Sequence, residues 1–205
     1  MTGLRSYGDP CGIARALDII GERWALLIVR ELSYGSKRFS DLRVGLGLSP
    51  NVLTQRLGEL EENGVIQRRT TGGAVYELTD WGRDLHPILV RLGHWGARSA
   101  HRPGGELSVD SLLLALEATF LPDKAAELRA TYELRLGEER FTVNVADATI
   151  GITRGSARSP DAVIETDVAT LRSLVFGDLP QSGAPVELRG DARTARTFFR
   201  LFARP

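Results

Sequence analysis

The chain has 205 residues, 42% hydrophobic and 25% charged, with 26 Lys and Arg balancing 26 Asp and Glu. Those proportions fit one or two globular domains and exclude a disordered or low-complexity protein. A formal net charge of +0 excludes a uniformly basic nucleic-acid coat, and no apolar run approaches the roughly 18 to 20 residues of a membrane span. Charge is uneven along the chain: residues 1–102 hold 14 Lys and Arg against 11 Asp and Glu, and residues 103–205 hold 12 against 15. A split of that size is within ordinary fluctuation and decides nothing alone. The opening Met1-Thr2-Gly3-Leu4-Arg5 lacks the apolar core of a secretory signal, and a single cysteine allows no internal disulfide. The expected compartment is therefore the cytoplasm.

Ile13, Leu17, Ile20 and Trp24 recur at i, i+4, i+7 and i+11, which predicts a first helix with a core stripe that Gly21 can interrupt. A second helix over residues 23–33 carries Trp24, Leu27, Ile28 and Leu32 and stops at Tyr34-Gly35. A short third helix takes Ser40 as its cap, turns Phe39 and Leu42 inward and ends in a turn over residues 45–48. Ser49-Pro50 reads as the N-cap and first residue of a fourth helix, because proline there gives up only an amide hydrogen that would have had no partner. Asn63-Gly64 suits its C-terminal cap. Residues 65–70 and 75–78 are two short strands around Thr71-Gly72-Gly73, a hairpin. Thr79-Asp80 then caps a last helix on which Leu85, Ile88, Leu89, Leu92 and Trp95 form a stripe. His101-Arg102-Pro103-Gly104-Gly105 ends the helical pattern and places a domain boundary between residues 102 and 103. Helices, a hairpin and a further helix in that order predict a winged helix-turn-helix.

In the fourth helix Leu53, Leu57 and Leu60 share a packing face. Ser49, Asn51, Thr54, Gln55 and Arg56 crowd its N-terminal turns with groups that bond base edges or phosphates in a major groove. A helix N-terminus itself favours a phosphate. A solvated surface shows the same residue types, so this face alone is not decisive. Lys37-Arg38 before the third helix and Arg68-Arg69 in the wing flank it, placed to neutralise phosphates. Either pair alone is an ordinary charge cluster. With the helix order, they favour double-stranded DNA as the partner.

In the second half, Leu112, Leu113, Leu116 and Phe120 predict a helix ended by Pro122. Tyr132, Leu134 and Leu136 alternate, as do Phe141, Val143 and Val145, and then Ile150 and Ile152, the period of strands. Residues 160–166 are a further extended piece, and Asp167 caps a helix carrying Leu171, Leu174 and Val175 that closes at Gly177-Asp178. A last strand at 186–188 and a helix over 192–202, bearing Phe198, Phe199, Leu201 and Phe202, complete the pattern. The expected class is α+β: a winged helix-turn-helix over 1–102, then an α/β sandwich over 103–205 with helices on a largely antiparallel sheet.

Four blocks in order, residues 11–24, 38–42, 48–57 and 76–82, resemble the HxlR-type regulators, a likeness spanning about residues 8 to 100. The resemblance implies a homodimer that represses or activates transcription, paired through its first and last helices. Leu85, Ile88, Leu89, Leu92 and Trp95 would then face a partner; intrachain core is the other role open to them. Two recognition helices would enter successive major grooves of a near-palindromic operator. Cys11 stands where that family commonly has a cysteine, which some members use to sense oxidants or electrophiles. With no second cysteine, such sensing takes an intersubunit disulfide or a small-molecule cap, and Arg15 one turn away favours the thiolate. A buried small hydrophobe is the plainer role.

Residues 160–166, then Leu171, Leu174 and Gly177, then residues 188–191 before Phe198-Phe199, look like a sterol-carrier-type domain over about residues 106 to 203. That likeness implies an apolar tunnel for a hydrophobic small-molecule effector, with a filled core as the alternative for the same residues. Cys11, His86, His94 and His101 offer no CxxC or HExxH spacing, and neither GxSxG nor GxxxxGK[ST] occurs. No enzyme, cofactor or metal is expected. The competing function is a hydrophobic-ligand carrier that uses the winged helix only to dimerise.

Overall fold

The computed structural model describes residues 6–70, 73–100, 104–177 and 183–204. They form an α+β protein of two compact units, Met1–Leu89 and Val90–Pro205.

The first unit contains α1 (Gly12–Ile20), α2 (Ala25–Leu32), β1 (Lys37–Arg38), α3 (Phe39–Leu46), α4 (Pro50–Glu62), β2 (Ile66–Arg69), β3 (Val75–Leu78) and α5 (Asp80–Arg83). Its core is Ile28, Val29 and Leu32 of α2, Leu42 of α3, and Leu53, Leu57 and Leu60 of α4, closed by Val65, Ile66 and Leu78. Ser49 is extended before Pro50, as a proline-started helix requires. Gly64 takes φ 71° past the end of α4, so that the Val65 amide turns back to donate to the Leu60 carbonyl at 2.9 Å. The wing is an antiparallel sheet of order β1-β3-β2, with Arg68 opposite Tyr76 and Lys37 also opposite Tyr76 from the other side. Thr71 and Gly72 of the expected hairpin tip lie outside the described residues.

Three local expectations are corrected. The stripe from Ile13 to Trp24 is not a core stripe. A helix end intervenes at Gly21, where a Cβ would stand 2.4 Å from the Leu17 carbonyl oxygen, and Trp24 turns left-handed at φ 83°. No residue of α1 is buried, and Ile13 is 72% exposed. Ser40 does not cap α3: Arg38 is the N-cap, its amide donating to the Asp41 carboxylate at 3.2 Å. The last helix starts twice. Thr79 caps α5, its Oγ1 accepting from the Gly82 amide at 3.0 Å, and α6 (Leu85–Gly96) begins afresh after Asp84. Pro87 explains the break, since it has no amide hydrogen for the Arg83 carbonyl and its ring would crowd that group.

The second unit takes α6 from Val90 onward, then α7 (Val109–Thr119), a 3-10 turn (Pro122–Ala125), β4 (Ala130–Leu136), β5 (Glu139–Ala146), β6 (Thr149–Arg154), β7 (Ala162–Thr166), α8 (Val168–Phe176), β8 (Glu187–Gly190) and α9 (Ala192–Phe198). Gly93 lets α6 lie close on α7, since a Cβ there would be 3.1 Å from that of Ala118, and His94 Nδ1 is 3.0 Å from the Ala118 carbonyl. These contacts tie the end of α6 to α7; His101, Arg102 and Pro103, where the sequence places the domain boundary, lie outside the described residues. The sheet order is β6-β5-β4-β7-β8, antiparallel except for β4 beside β7. Its inward face, with Tyr132, Leu134, Phe141, Val143 and Ile164 fully buried, packs with Leu112, Leu113 and Leu116 of α7, Leu171 of α8 and Phe198 of α9. The final helix is shorter than expected, and Phe202 beyond it bridges to Phe120. Asp178 lies outside the described residues.

Candidate nucleic-acid interface

The outward side of α4 follows from its inward side. With Leu53, Leu57 and Leu60 at most 2% exposed, helical geometry turns Asn51 and Gln55 away from the core, and both are exposed, as are Ser49 and Thr54. The Ser49 side chain makes no cap bond to the helix. The Gln55 amide donates to Glu59 Oε1 at 3.0 Å along the helix surface. Asn and Gln on a protruding helix N-terminus present both a donor and an acceptor at one point, the pattern that pairs with an adenine edge.

Arg56 is placed differently from its neighbours. Its side chain is 16% exposed and points back toward the α1–α2 junction, paired with Glu59 and lying 3.4 Å from Glu22. Arg38 is exposed at the N-cap of α3. Arg68 and Arg69 are exposed on β2, with Arg69 held 3.4 Å from Glu77 of β3. The wing thus offers both arginines from one strand.

Lys37 is committed inside the protein. Its ammonium donates to Glu31 Oε2 at 2.8 Å, and Arg30 donates to Oε1 of the same carboxylate at 2.9 Å. Glu31 is fully buried, and Gly45 of α3 gives it room, since a Cβ there would be 3.1 Å from its Oε2. Sequence reasoning missed Glu31, although its place between Ile28 and Leu32 on the inward side of α2 marked an acid on a core face. Burying a carboxylate is tolerable only with cations on it, and the nearest cation in sequence across the turn is Lys37.

The expected interface stripe divides. Leu89 is 5% exposed and belongs to the chain's own core, Leu85 is half-buried, and Ile88, Leu92 and Trp95 are 54%, 44% and 67% exposed. On α1, Ile13 and Leu17 are also open, and Tyr7 ahead of it is 67% exposed. Cys11 is exposed at the N-cap of α1 in the single chain.

In the second unit, Tyr132 Oη is buried with no hydrogen-bond partner, and burial pushes its phenol up to about 12. An open depression of about 480 Å³ is lined by Gly137, Glu165, Thr166, Ala184, Pro185, Val186 and Glu187. Arg189 beside Glu187 holds that carboxyl below its usual range. Among the described residues no group of His, Cys, Asp and Glu is placed to hold a metal ion, and no helix is long and apolar enough to cross a membrane.

Residues 19–103 match the model of the HxlR-like helix-turn-helix family. An uncharacterized HTH-type transcriptional regulator of Mycobacterium tuberculosis is 40% identical over 105 residues, 49% of this chain and 65% of the relative's length. The uncharacterized HTH-type transcriptional regulator YvaP of Bacillus subtilis is 44% identical over 86 residues, 40% of this chain and 80% of the relative. The solved redox regulator HypR in its oxidized form is 31% identical, with 45% of this chain and 100% of that chain aligned at a TM-score of 0.41. By the family match and the 80% coverage of YvaP, the chain belongs to the HxlR-like helix-turn-helix family.

Proposed function

We propose that the protein is a sequence-specific DNA-binding transcriptional regulator that works as a homodimer on a near-palindromic operator. The observation that carries this reading is the exposed Asn51-Gln55 edge at the start of α4, held out by three buried leucines within a winged helix-turn-helix. Arg38, Arg68 and Arg69, all exposed, supply phosphate contacts beside it. Ser49 and Thr54 lie close enough in sequence to contribute, while Arg56 and Lys37 act from within the fold. The apolar residues open on α1 and on α6, Ile13 and Leu17 on one and Ile88, Leu92 and Trp95 on the other, are the partner-facing surfaces.

Exposed Cys11 favours an oxidant or electrophile as one input, through an intersubunit disulfide or a thiol cap. Residues 103–205, the second domain of the sequence division, serve as the effector domain; their likeness to a sterol carrier gives a hydrophobic small molecule as the other input. Selection of bound duplexes from random DNA by the full chain tests the reading. Enrichment of a palindromic sequence, lost in Asn51→Ala with Gln55→Ala, is the expected result. A chain that binds a hydrophobic ligand but enriches no sequence is the carrier instead.

A further inference from the structure

Glycines inside helices are placed at a cost, because glycine is the least favourable interior residue after proline, and each one calls for a reason. Three have one within the chain. A Cβ on Gly45 would press on Glu31 at 3.1 Å, on Gly82 it would strike the Val65 carbonyl oxygen at 2.0 Å, and on Gly93 it would meet Ala118 at 3.1 Å. Gly58 has none. It lies in the interior of α4, its backbone is ordinary helix, and a Cβ there would find nothing within 4 Å. Gly12 and Gly96 also have open space, but each is a terminal residue of its helix, where glycine costs little. Among the described residues, Gly58 is therefore the one interior helical glycine that the chain's own packing does not explain.

Its position on the helix says where the reason lies. Asn51, Gln55 and Gly58 follow one another at i, i+4 and i+7, so they lie on one line of α4, opposite the buried Leu53, Leu57 and Leu60. At 1.5 Å per residue, Gly58 stands about 10 Å along the axis from Asn51. A major groove is about 8.5 Å deep, so a helix that enters by its N-terminal turns and puts Asn51 against base edges brings the residue about 10 Å up its axis level with the sugar-phosphate wall. Glu59 beside it is drawn off the line by its bonds to Gln55 and Arg56, which keeps a carboxylate from the same spot.

We infer that Gly58 is a positioning residue for DNA: its bare backbone lets α4 pass close against the groove wall, so that Asn51 and Gln55 reach the bases. The inference rests on the DNA-binding reading above. It predicts opposite signs for two measurements on one variant. In the full chain, Gly58→Ala raises the melting temperature of the first unit by about 4–8 °C, as an alanine gained in a helix interior does. The same change weakens binding to the duplex enriched by the wild-type chain by about tenfold, the scale of one lost base contact. Gly58→Leu weakens it further while staying at least as stable as the wild type. If Gly58→Ala is more stable and binds the enriched duplex with unchanged affinity, the clearance role is wrong while the DNA reading stands. If the wild-type chain enriches no duplex, both readings fall together.

Discussion

Lys37→Met should destabilise the first unit far more than an exposed lysine would. Glu31 is fully buried, and its two oxygens are held by Lys37 at 2.8 Å and Arg30 at 2.9 Å, with side-chain exposures of 15% and 21% for the two cations. Removing one partner of a buried pair costs about 3–5 kcal/mol because the other charge is left uncompensated. Here Arg30 stays on the carboxylate, so the expected loss is about 2–3 kcal/mol. For a unit of this size that lowers its thermal transition by about 10–20 °C, followed by far-UV circular dichroism. Glu31→Met combined with Lys37→Met should recover most of the loss, since the buried charge goes with its partner. A single variant within about 0.5 kcal/mol of wild type, the usual range for a surface change, would refute this account of the pair.

Three further outcomes are expected. The Thr170 amide and hydroxyl donate to Asp167 and hold its carboxyl below the ordinary range; this cap therefore stabilises α8 above the unfolded carboxylate pKa and is lost as pH falls through the lowered native one. Asp167→Asn keeps a capping oxygen and should flatten the acid limb of a stability titration, whereas Asp167→Ala should cost about 1 kcal/mol at neutral pH. Burial raises the Tyr132 phenol to about 12, so the unfolded chain ionises first and stability falls as pH rises from 10 toward 12. Tyr132→Phe should remove that alkaline loss and cost nothing at pH 7, because the hydroxyl has no partner to lose; a large loss at neutral pH in denaturant titration would contradict it. Leu92→Asp with Trp95→Asp should convert the proposed dimer to monomer in sedimentation velocity while leaving the circular dichroism melt of each unit in place, both side chains being exposed.

What could be read from the residues was what depends on near neighbours. Ser49-Pro50 started α4 and Asn63-Gly64 stopped it because caps are decided within one turn, and the leucine spacing of α4 fixed which side faces outward. β4, β5 and β6 appeared through alternation for the same reason. What stayed hidden depends on partners brought together by folding. Lys37 looked like a phosphate ligand because helical spacing marks Glu31 as an acid on a core face but does not show which cation folding lays on it. Arg56 joined the exposed face on paper, yet Glu22 across the helix junction draws it inward. Trp24 extended the first stripe at perfect helical spacing, and only the left-handed turn after Gly21 separates it. The two-residue β1 is too short to show a period at all.

The single parallel pairing in the second sheet has a kinetic consequence. β4, β5 and β6 are joined by tight turns, so their contacts close short loops, whereas Tyr132 of β4 must find Ala162 of β7, 30 residues further along the chain. Loop-closure entropy penalises the distant pair before any contact offsets it. The three-stranded meander is then the nucleus on which β7, α8 and β8 condense, and core truncations in β4 and β5 slow folding while equal truncations in β7 chiefly speed unfolding.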